Sequence, residues 1–416
     1  MFRIFSSICR LTDGVFMRHV EITPRVFQAG KKCTFRLKGA SGNMSVRIAY
    51  KNSAEVLYAA NSSDITEIST VLPHTGEYYI FLSARGTSDR RISVYGVSEE
   101  MAGLLPVKGD LHIHTLYSDG AQSPREMVIQ ARRLGMDYIA VTDHDSYYPS
   151  LEAIKFTASS GLSILCFEGE EVTVPTGGHV LSIGSDSPLH LKDMDADTLK
   201  EMIEAQAAET DIILLEQGLS PYTYGGMKLV MKMIKEKGGF SVLCHPFWMV
   251  EHTGFYHLPR PMLKQAVKDR LPNAIEIPGD TLHQDNMLGL SFYYGHTDRS
   301  IPIVANSDTH STTHTFGQRW QIAFVPVITK ESILSSVSTF MSAACERQGE
   351  NICVYGSLGL VEYSYFLIRE FFPYKDKLAN TEAELYASGL LTDDIRQTSE
   401  SYIRSFFGFQ PLLAVL

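Results

Sequence analysis

The sequence has little of what marks membrane and secreted proteins. Its six cysteines form no CxxC pair, which favours buried thiols in a reducing compartment. No apolar run approaches the roughly 18 residues of a membrane span. Arg10 and Asp13 interrupt the hydrophobic start before a signal-peptide core forms. We therefore expect a cytoplasmic protein that does not associate with membranes.

Basic residues are also scarce. Lys and Arg number 37 against 47 Asp and Glu, which gives a formal net charge of -10. Since a duplex-binding protein usually presents a basic surface, nucleic acid is expected here only as a nucleotide or short oligonucleotide substrate. The sequence also lacks a P-loop and a GxSxG motif, which argues against chemistry by those two kinds of site.

The 416 residues divide into three regions by pattern. In residues 1–105, alternation such as Cys33-Phe35-Leu37 between turn signals predicts a small β-sandwich-like domain. In residues 106–345, apolar strands alternate with amphipathic helices, which predicts an α/β domain with a parallel sheet or barrel. Residues 346–416 are expected to form a helical, aromatic-rich extension that packs on the barrel or on a second subunit.

The ends of several helices are marked in the sequence. Ser123 and Glu126 form a capping-box pattern around Pro124, and Gly135 can end that helix. Asp393 follows Thr392 at the start of a later helix. In the extension, a stripe at helical spacing ends before Pro373 and consists of Leu358, Val361, Tyr365, Ile368 and Phe372.

The sharpest chemical signal is DLHIHTLYSDG, residues 110–120. Alternate side chains of a strand share a face, so Asp110, His112 and His114 are expected to point the same way. Two imidazoles on one face at a strand end make half of a metal site. Asp119 follows on a turn that can fold back over the strand end.

Four further strand ends carry similar residues. They supply His144 in VTDHD, Glu168, Glu170, Glu171 and His179 in the GEE-to-GGH segment, His245 in CHP, and Asp308 with His310 in SDTH. Active sites of barrels lie at the carboxyl ends of strands, and burying so many polar groups without a metal would be costly. A set of imidazoles and carboxylates suits manganese, iron or zinc.

These motifs, in this order, resemble those of the polymerase-and-histidinol-phosphatase (PHP) family of metal-dependent phosphoesterases over roughly residues 107–327. The resemblance implies a distorted seven-stranded (β/α) barrel holding two to three divalent ions. It assigns His112, His114 and Asp308 to a first metal and His179 and His245 to a second. It makes Glu171 their bridge, because the family pattern is glycine, any residue, glutamate and an apolar residue. It gives Asp119, His144 and His310 to a third metal, and Asp308, Glu171 and His310 count as catalytic.

The expected reaction is hydrolysis of a phosphate ester by a metal-bridging hydroxide. The substrate class stays open between a small phosphomonoester and a nucleotide diester. Two alternatives remain: an amidohydrolase-like enzyme, because HxH also opens those barrels, and a non-catalytic binding protein that retains the PHP fold. His257 and Arg260, on a segment that follows His245, are candidates for substrate binding, and a solvated surface loop is the competing interpretation.

Overall fold

The structure is a computed structural model, and it describes residues 20–39, 43–63, 65–84, 89–250, 253–277, 279, 282–313 and 315–409. The residues before 20, where the signal-peptide question arises, lie outside this part. The described residues fall into two compact units: those of 20–102 and 402–409 belong to one, and those of 103–401 belong to the other. The domain boundaries given above stay a prediction.

The first unit consists of short strands in two sheets. The strands are β1 (Glu21–Thr23), β2 (Val26–Gln28), β3 (Lys32–Lys38), β4 (Asn43–Tyr50), β5 (Val56–Ser63), β6 (Glu67–Val71), β7 (Gly76–Ala84) and β8 (Arg90–Val97). One sheet has the order β1-β3-β6 and the other β2-β8-β7-β4-β5. Pairing is antiparallel except between β2 and β8.

Apolar residues from both sheets of the first unit share one buried cluster. Cys33, Phe35 and Leu37 on β3 contribute to it, together with Ile48 on β4 and Ile80 on β7. The apolar residues that alternate along these strands therefore face a core, as the two-residue period of a strand requires. The sandwich arrangement itself stays a prediction.

The second unit is a mixed α/β structure. Its strands are β9 (Leu105–Asp110), β10 (Tyr138–Ala140), β11 (Leu165–Phe167), β12 (Gly169–Thr173), β13 (His179–Ile183), β14 (Phe240–Leu243), β15 (Met249–Val250), β16 (Phe255–Tyr256), β17 (Ala274–Glu276), β18 (Ile303–Val304), β19 (Arg319–Val325), β20 (Ser342–Gln348) and β21 (Asn351–Tyr355). Its helices are α1 (Pro124–Arg133), α2 (Tyr148–Ser160), α3 (Ala196–Ala208), α4 (Pro221–Glu236), α5 (Arg260–Lys268), α6 (His283–His296), α7 (Lys330–Ser338), α8 (Leu358–Glu370) and α9 (Phe372–Ala387). Helix α10 (Asp393–Phe406) begins in this unit. Among the described helices, none is long and apolar enough to cross a bilayer.

Two sheets organise the second unit. One has the order β11-β10-β9-β19-β20-β21 and the other β12-β13-β14-β17-β18. The parallel sheet expected from the alternation of strands and helices is only partly correct. Strands β9, β10 and β11 are parallel, as are β14, β17 and β18, whereas β12, β13 and β14 pair antiparallel and so do β9, β19, β20 and β21. Short connections such as that from β12 to β13 allow a hairpin but not a parallel crossover.

The described strands do not close into a continuous hydrogen-bonded barrel, so the seven-stranded barrel is not confirmed. Single parallel bridges join the two sheets instead, one between Ile113 and Thr309 and one between His144 and Glu171. Both bridges lie at strand ends that carry candidate ligands. The ends of the two sheets therefore meet where the sequence places its metal-binding motifs.

Helix α1 has the ends that the sequence predicts. The Ser123 side chain accepts a hydrogen bond from the Glu126 backbone N–H, and the Glu126 carboxylate accepts one from the Ser123 N–H, which completes the capping box. Gly135 follows with a φ of 81°, in the left-handed region where glycine ends helices. The start of α10 at Asp393 is also confirmed.

Within the second unit, buried ion pairs join helix α9 to α1 and to the segment between α1 and β10. Lys375 Nζ lies 2.5 Å from Asp137 Oδ2, and Arg132 Nε lies 2.5 Å from Glu382 Oε2. The apolar stripe predicted for α8 was partly wrong: Leu358 is 76% exposed. The residues of α8 that are buried are Leu360, Tyr363, Ser364, Phe366 and Leu367. The sequence therefore predicted the wrong face of α8 to be buried, because the buried positions come one to two residues after the predicted ones.

Candidate metal centre

His112 and His114 continue the line of β9 between two neighbouring chain segments. The Ile113 N–H donates to Thr142 Oγ1 at 3.1 Å, and the Thr142 N–H donates to the Ile113 carbonyl at 2.8 Å. On the other side, the His114 N–H donates to the Thr309 carbonyl at 2.9 Å. Because Ile113 is fully buried on one face, the two imidazoles are directed to the opposite one.

A tight turn returns Asp119 to this strand end. Asp143 organises the turn: its Oδ1 accepts hydrogen bonds from the Thr115 N–H at 2.8 Å and from Ser118 Oγ at 2.6 Å. At Gly120 a Cβ would lie 2.7 Å from the His114 backbone, so the close approach requires glycine. Asp119 Oδ2 thereby comes within 3.2 Å of His310 Nε2.

Glu171 and His179 lie on the β12–β13 hairpin, which explains their short separation in sequence. The turn between the strands contains Gly177 and Gly178 with φ of 115° and 92°, values that favour glycine. On the other edge of β12, the Glu171 N–H donates to the Asp143 carbonyl at 3.2 Å. This pairing holds Glu171 beside the end of β10, which delivers His144.

His245 and Asp308 adopt unusual backbone conformations just after β14 and β18. Their φ angles are 20° and 49°, outside the range that non-glycine residues ordinarily occupy. Such strain costs of order 1–3 kcal/mol and persists only where surrounding contacts impose it. At both residues the side chain is turned towards the other candidate ligands.

The Glu171 carboxylate lies at the centre of the cluster. Nitrogen atoms of five histidines lie 3.0–3.2 Å from its two oxygens: His112, His114 and His144 face Oε2, and His179 and His245 face Oε1. Asp308 Oδ1 is 3.3 Å from His112 Nε2 and 3.1 Å from His114 Nε2. A second group, nearer the surface, joins Asp119 to His114, His144 and His310. The structure thus brings all nine predicted ligand positions together.

Burial is graded across the cluster. The side chains of His112, His114 and Glu171 are at most 1% exposed, whereas those of Asp119 and His310 are 53% and 39% exposed. A cleft of about 370 Å³ opens at this exposed side. A substrate would therefore approach from the side of Asp119 and His310.

The carboxylates and imidazoles shift each other's protonation. Burial alone raises the pKa of Glu171, but the surrounding histidines, His112 above all, hold it well below its usual range. Burial lowers the pKa of His114 and His245, yet the carboxylates of Glu171 and Asp308 outweigh it and raise both to about 9. A hydrogen bond from His310 is the main cause that lowers the pKa of Asp119 to about 2. Carboxylates that raise the pKa of neighbouring imidazoles in this way stabilise positive charge at the site, and they would equally attract metal cations.

Several buried atoms of the cluster face one another without a well-directed hydrogen bond. Among the described residues they include His112 Nε2, His114 Nε2, Glu171 Oε2 and His179 Nδ1. Unpartnered buried polar atoms are rare because each costs about 1–3 kcal/mol. A set of six imidazoles and three carboxylates fits manganese, iron or zinc.

Three residues near the site were missed in the sequence. Glu276 at the end of β17 is fully buried and accepts a hydrogen bond from His112 Nδ1 at 3.0 Å. Asp143 holds the Asp119 turn. Trp248 lines the cleft, with its ring centroid 5.5 Å from that of His245. A carboxylate inside the apolar run AIEIP was the available signal for Glu276.

The remaining sequence candidates lie around the cluster. His257 packs with its ring centroid 4.3 Å from that of His179, and burial is the main cause that lowers its pKa to about 4. The Arg260 guanidinium lies over the rings of Phe247 and Tyr256, at 3.7 and 4.6 Å from their centroids, and Arg260 is absent from the described lining of the cleft.

The other two glutamates of the GEE segment make contacts elsewhere. Glu170 Oε1 accepts a hydrogen bond from the Leu189 N–H at 2.8 Å, and Glu168 pairs with Lys330 at 2.9 Å. Neither carboxylate joins the histidines around Glu171. The contacts therefore distinguish Glu171 from Glu168 and Glu170, which the local sequence pattern could not do.

Comparison with known proteins places this region in a family. Residues 110–267 match the family model of the PHP domain. This segment is a PHP domain. The match ends before Asp308 and His310, so only the structure relates these two residues to the rest of the PHP site.

The relatives are similar over limited lengths. The DNA polymerase/3'-5' exonuclease PolX of Bacillus subtilis is 33% identical over 113 residues, which are 25% of this chain and 20% of that protein. The 3',5'-nucleoside bisphosphate phosphatase of Chromobacterium violaceum is 38% identical over 74 residues, 18% of this chain and 25% of that protein. This chain thus spans a quarter or less of either relative.

One solved structure with a partial likeness is a two-domain protein from Bacteroides vulgatus described as containing a predicted PHP-like metal-dependent phosphoesterase. It is 18% identical, with a TM-score of 0.39, and the match covers 58% of this chain and 65% of that one.

Proposed function

We propose that the PHP domain binds two to three divalent metal ions and hydrolyses a phosphate ester. The observation that supports it is the set of five histidine nitrogens within 3.2 Å of the Glu171 carboxylate, several of them lacking any well-directed hydrogen bond. Such an arrangement is costly unless cations complete it. The names of the PHP-domain relatives, an exonuclease and a bisphosphate phosphatase, agree with phosphorus chemistry.

The candidate ligands divide into three groups. His112, His114 and Asp308 would hold a first ion, His179 and His245 a second, and Asp119, His144 and His310 a third, with Glu171 shared between the first two. When bound, divalent ions supply Lewis acidity, which activates water and stabilises negative charge on a phosphoryl group. The graded burial of the side chains would fix the inner ions firmly and leave the outer group open to substrate.

The residues around the cleft would orient the substrate. Trp248, Ser311 and Thr315 line it, so an apolar ring and two hydroxyls face a bound ester. His257 is kept as a substrate-binding candidate because its ring centroid lies 4.3 Å from that of His179, which lines the cleft. Arg260 remains a substrate-binding candidate from its place in the sequence alone.

The cleft of about 370 Å³ lies at the lower end of the range for small-molecule sites. It suits a small phosphomonoester, or a nucleotide diester of which the cleft holds the reacting end. The net charge of -10 favours a small substrate over long nucleic acid, because no overall positive field draws a polyanion in.

A substrate screen tests this function against the alternatives. Purified protein loaded with manganese is incubated with phosphate monoesters, phosphate diesters and amides, and Asp308→Ala serves as the matched inactive control. Hydrolysis of a phosphate monoester or diester by the wild type alone, followed by release of the alcohol product, supports the proposal. Turnover confined to amides would favour an amidohydrolase-like enzyme, and tight binding without turnover would favour a binding protein.

Three further expectations remain proposals. The two sheets, with their bridging residues, would form the distorted seven-stranded barrel, in which β11 and β12 act as one interrupted strand. The helical extension would form the interface of a homo-oligomer through the faces of its helices that stay exposed. The protein would act in the cytoplasm.

A further inference from the structure

Glu276 makes three contacts that reach two different parts of the metal centre. Its Oε1 accepts hydrogen bonds from His112 Nδ1 at 3.0 Å and from Asn306 Nδ2 at 2.8 Å. Its Oε2 accepts one from the backbone N–H of His245 at 2.9 Å. The carboxylate is fully buried at the end of β17, so none of these contacts competes with water.

The contact with His112 determines which ring nitrogen faces the cluster. A carboxylate can only accept, so Nδ1 carries the proton of this hydrogen bond and Nε2 is the nitrogen that faces the cluster. Nε2 lies 3.2 Å from Glu171 Oε2 and 3.3 Å from Asp308 Oδ1, at the heart of the candidate site. A carboxylate that holds a histidine in this way orients the ring and makes the opposite nitrogen a better metal ligand.

The contact with His245 supports a strained backbone. A φ of 20° is unfavourable for histidine, and the N–H of that residue is directed at Glu276 Oε2. The third donor, Asn306, has a fixed orientation because its Oδ1 accepts a hydrogen bond from the Leu111 N–H at 2.9 Å. All three donors therefore need an acceptor at Glu276, and only a carboxylate offers one on both sides.

Glu276 is itself held in place from behind. A Cβ at Gly279 would lie 2.3 Å from Glu276 Cγ, so glycine is needed for the side chain to occupy its position. The Gly279 N–H donates to Asn286 Oδ1 at 3.1 Å, and Asn286 Nδ2 donates to the buried Glu346 Oε1 at 2.6 Å. A continuous set of contacts therefore connects Glu346 on β20 with His112.

We propose that Glu276 is a positioning residue that fixes one ligand of each inner metal ion, the ring of His112 and the backbone of His245. This inference rests on the proposed function, because it assumes that these histidines bind metal. A competing role is direct ligation, since His112, Cys244 and Glu276 also lie close enough to share an ion. The position of Glu276 on the far side of the His112 ring from Glu171 favours positioning.

The decisive variant is Glu276→Gln, which keeps the shape and removes one acceptor. Its amide must point a donor either at His112 and Asn306 or at the His245 N–H. We expect zinc affinity, measured by chelator competition, to fall about 10–100-fold for the inner ions. In ¹⁵N NMR of the zinc-loaded protein, the wild type should show His112 protonated at Nδ1 and metal-bound at Nε2, and the variant should lose this pattern.

Glu382→Gln is the matched control, because Glu382 is an equally buried carboxylate that accepts from Arg132 Nε and from Ser163. It should lower the thermal midpoint without changing zinc affinity. Gly279→Ala should displace the Glu276 side chain without replacing it, and it should therefore weaken zinc binding. This variant tests the proposal if Glu276→Gln does not fold.

Three results would overturn the proposal: zinc affinity within about twofold of wild type in Glu276→Gln, loss of one whole ion with the others unchanged, or wild-type His112 bound through Nδ1. The NMR result needs no variant, so it stands even if both variants fail to fold. A protein that binds zinc as described but hydrolyses no ester would refute the proposed function alone.

Discussion

Exchanging Glu171 and Glu170 one at a time for glutamine tests the centre of the site. Glu171→Gln replaces a carboxylate oxygen by an amide group among five histidine nitrogens that lie within 3.2 Å. Glu170→Gln changes a carboxylate whose Oε1 accepts from the Leu189 N–H at 2.8 Å. The two residues are adjacent, so the comparison controls for burial and for the hairpin that carries them.

The expected magnitudes differ widely. Two unit charges about 4 Å apart attract by about 4 kcal/mol at an effective dielectric constant of about 20. Removing the Glu171 charge should therefore lower the affinity of the site for each inner ion by at least about 10³-fold, since 1.4 kcal/mol corresponds to a tenfold change in affinity. At Glu170 a glutamine carbonyl can still accept from Leu189, so the cost should be about 1 kcal/mol of stability, with metal content unchanged.

Elemental analysis after dialysis, chelator competition and hydrolysis of the phosphate ester identified in the substrate screen give the readouts for both variants. Glu171→Gln should lose metal and activity together, and Glu170→Gln should keep most of both. The reverse ranking would make Glu170 the shared ligand and would refute the geometric reasoning. Retention of two or more ions by Glu171→Gln would do the same.

Three further predictions follow from the same contacts. Asp308→Ala should abolish turnover and leave the circular dichroism spectrum intact; residual activity above a few per cent with the natural substrate would remove Asp308 from the ligand set. Saturating manganese, at about 100 times its Kd, should stabilise the wild-type fold by about 2.7 kcal/mol for each ion bound in denaturant titrations, and Asp308→Ala should lose the gain from the ion that Asp308 holds; an equal gain in both proteins would place the metal elsewhere. Arg132→Met leaves the buried Glu382 carboxylate without its guanidinium partner and should lower the free energy of unfolding by about 3–5 kcal/mol; a loss below 1 kcal/mol would show that water or a rearrangement compensates.

The sequence alone determined those features that depend on residues near one another in the chain. The capping box at Ser123 and Glu126 is local chemistry, and it fixed the start of α1. His112 and His114 share a face because side chains alternate along a strand. The motifs in their order identified the family and the nine candidate ligands before any contact was known.

Tertiary structure decided whatever depends on contacts between distant residues. Local alternation could not choose among Glu168, Glu170 and Glu171, because the choice depends on His112 and His245, far away in sequence. The sequence predicted the wrong buried face of α8, because apolar residues lie on several sides of this helix and only packing selects the side that is buried. Glu276 carries no motif, and its role exists only because folding brings one carboxylate between His112 and the backbone of His245.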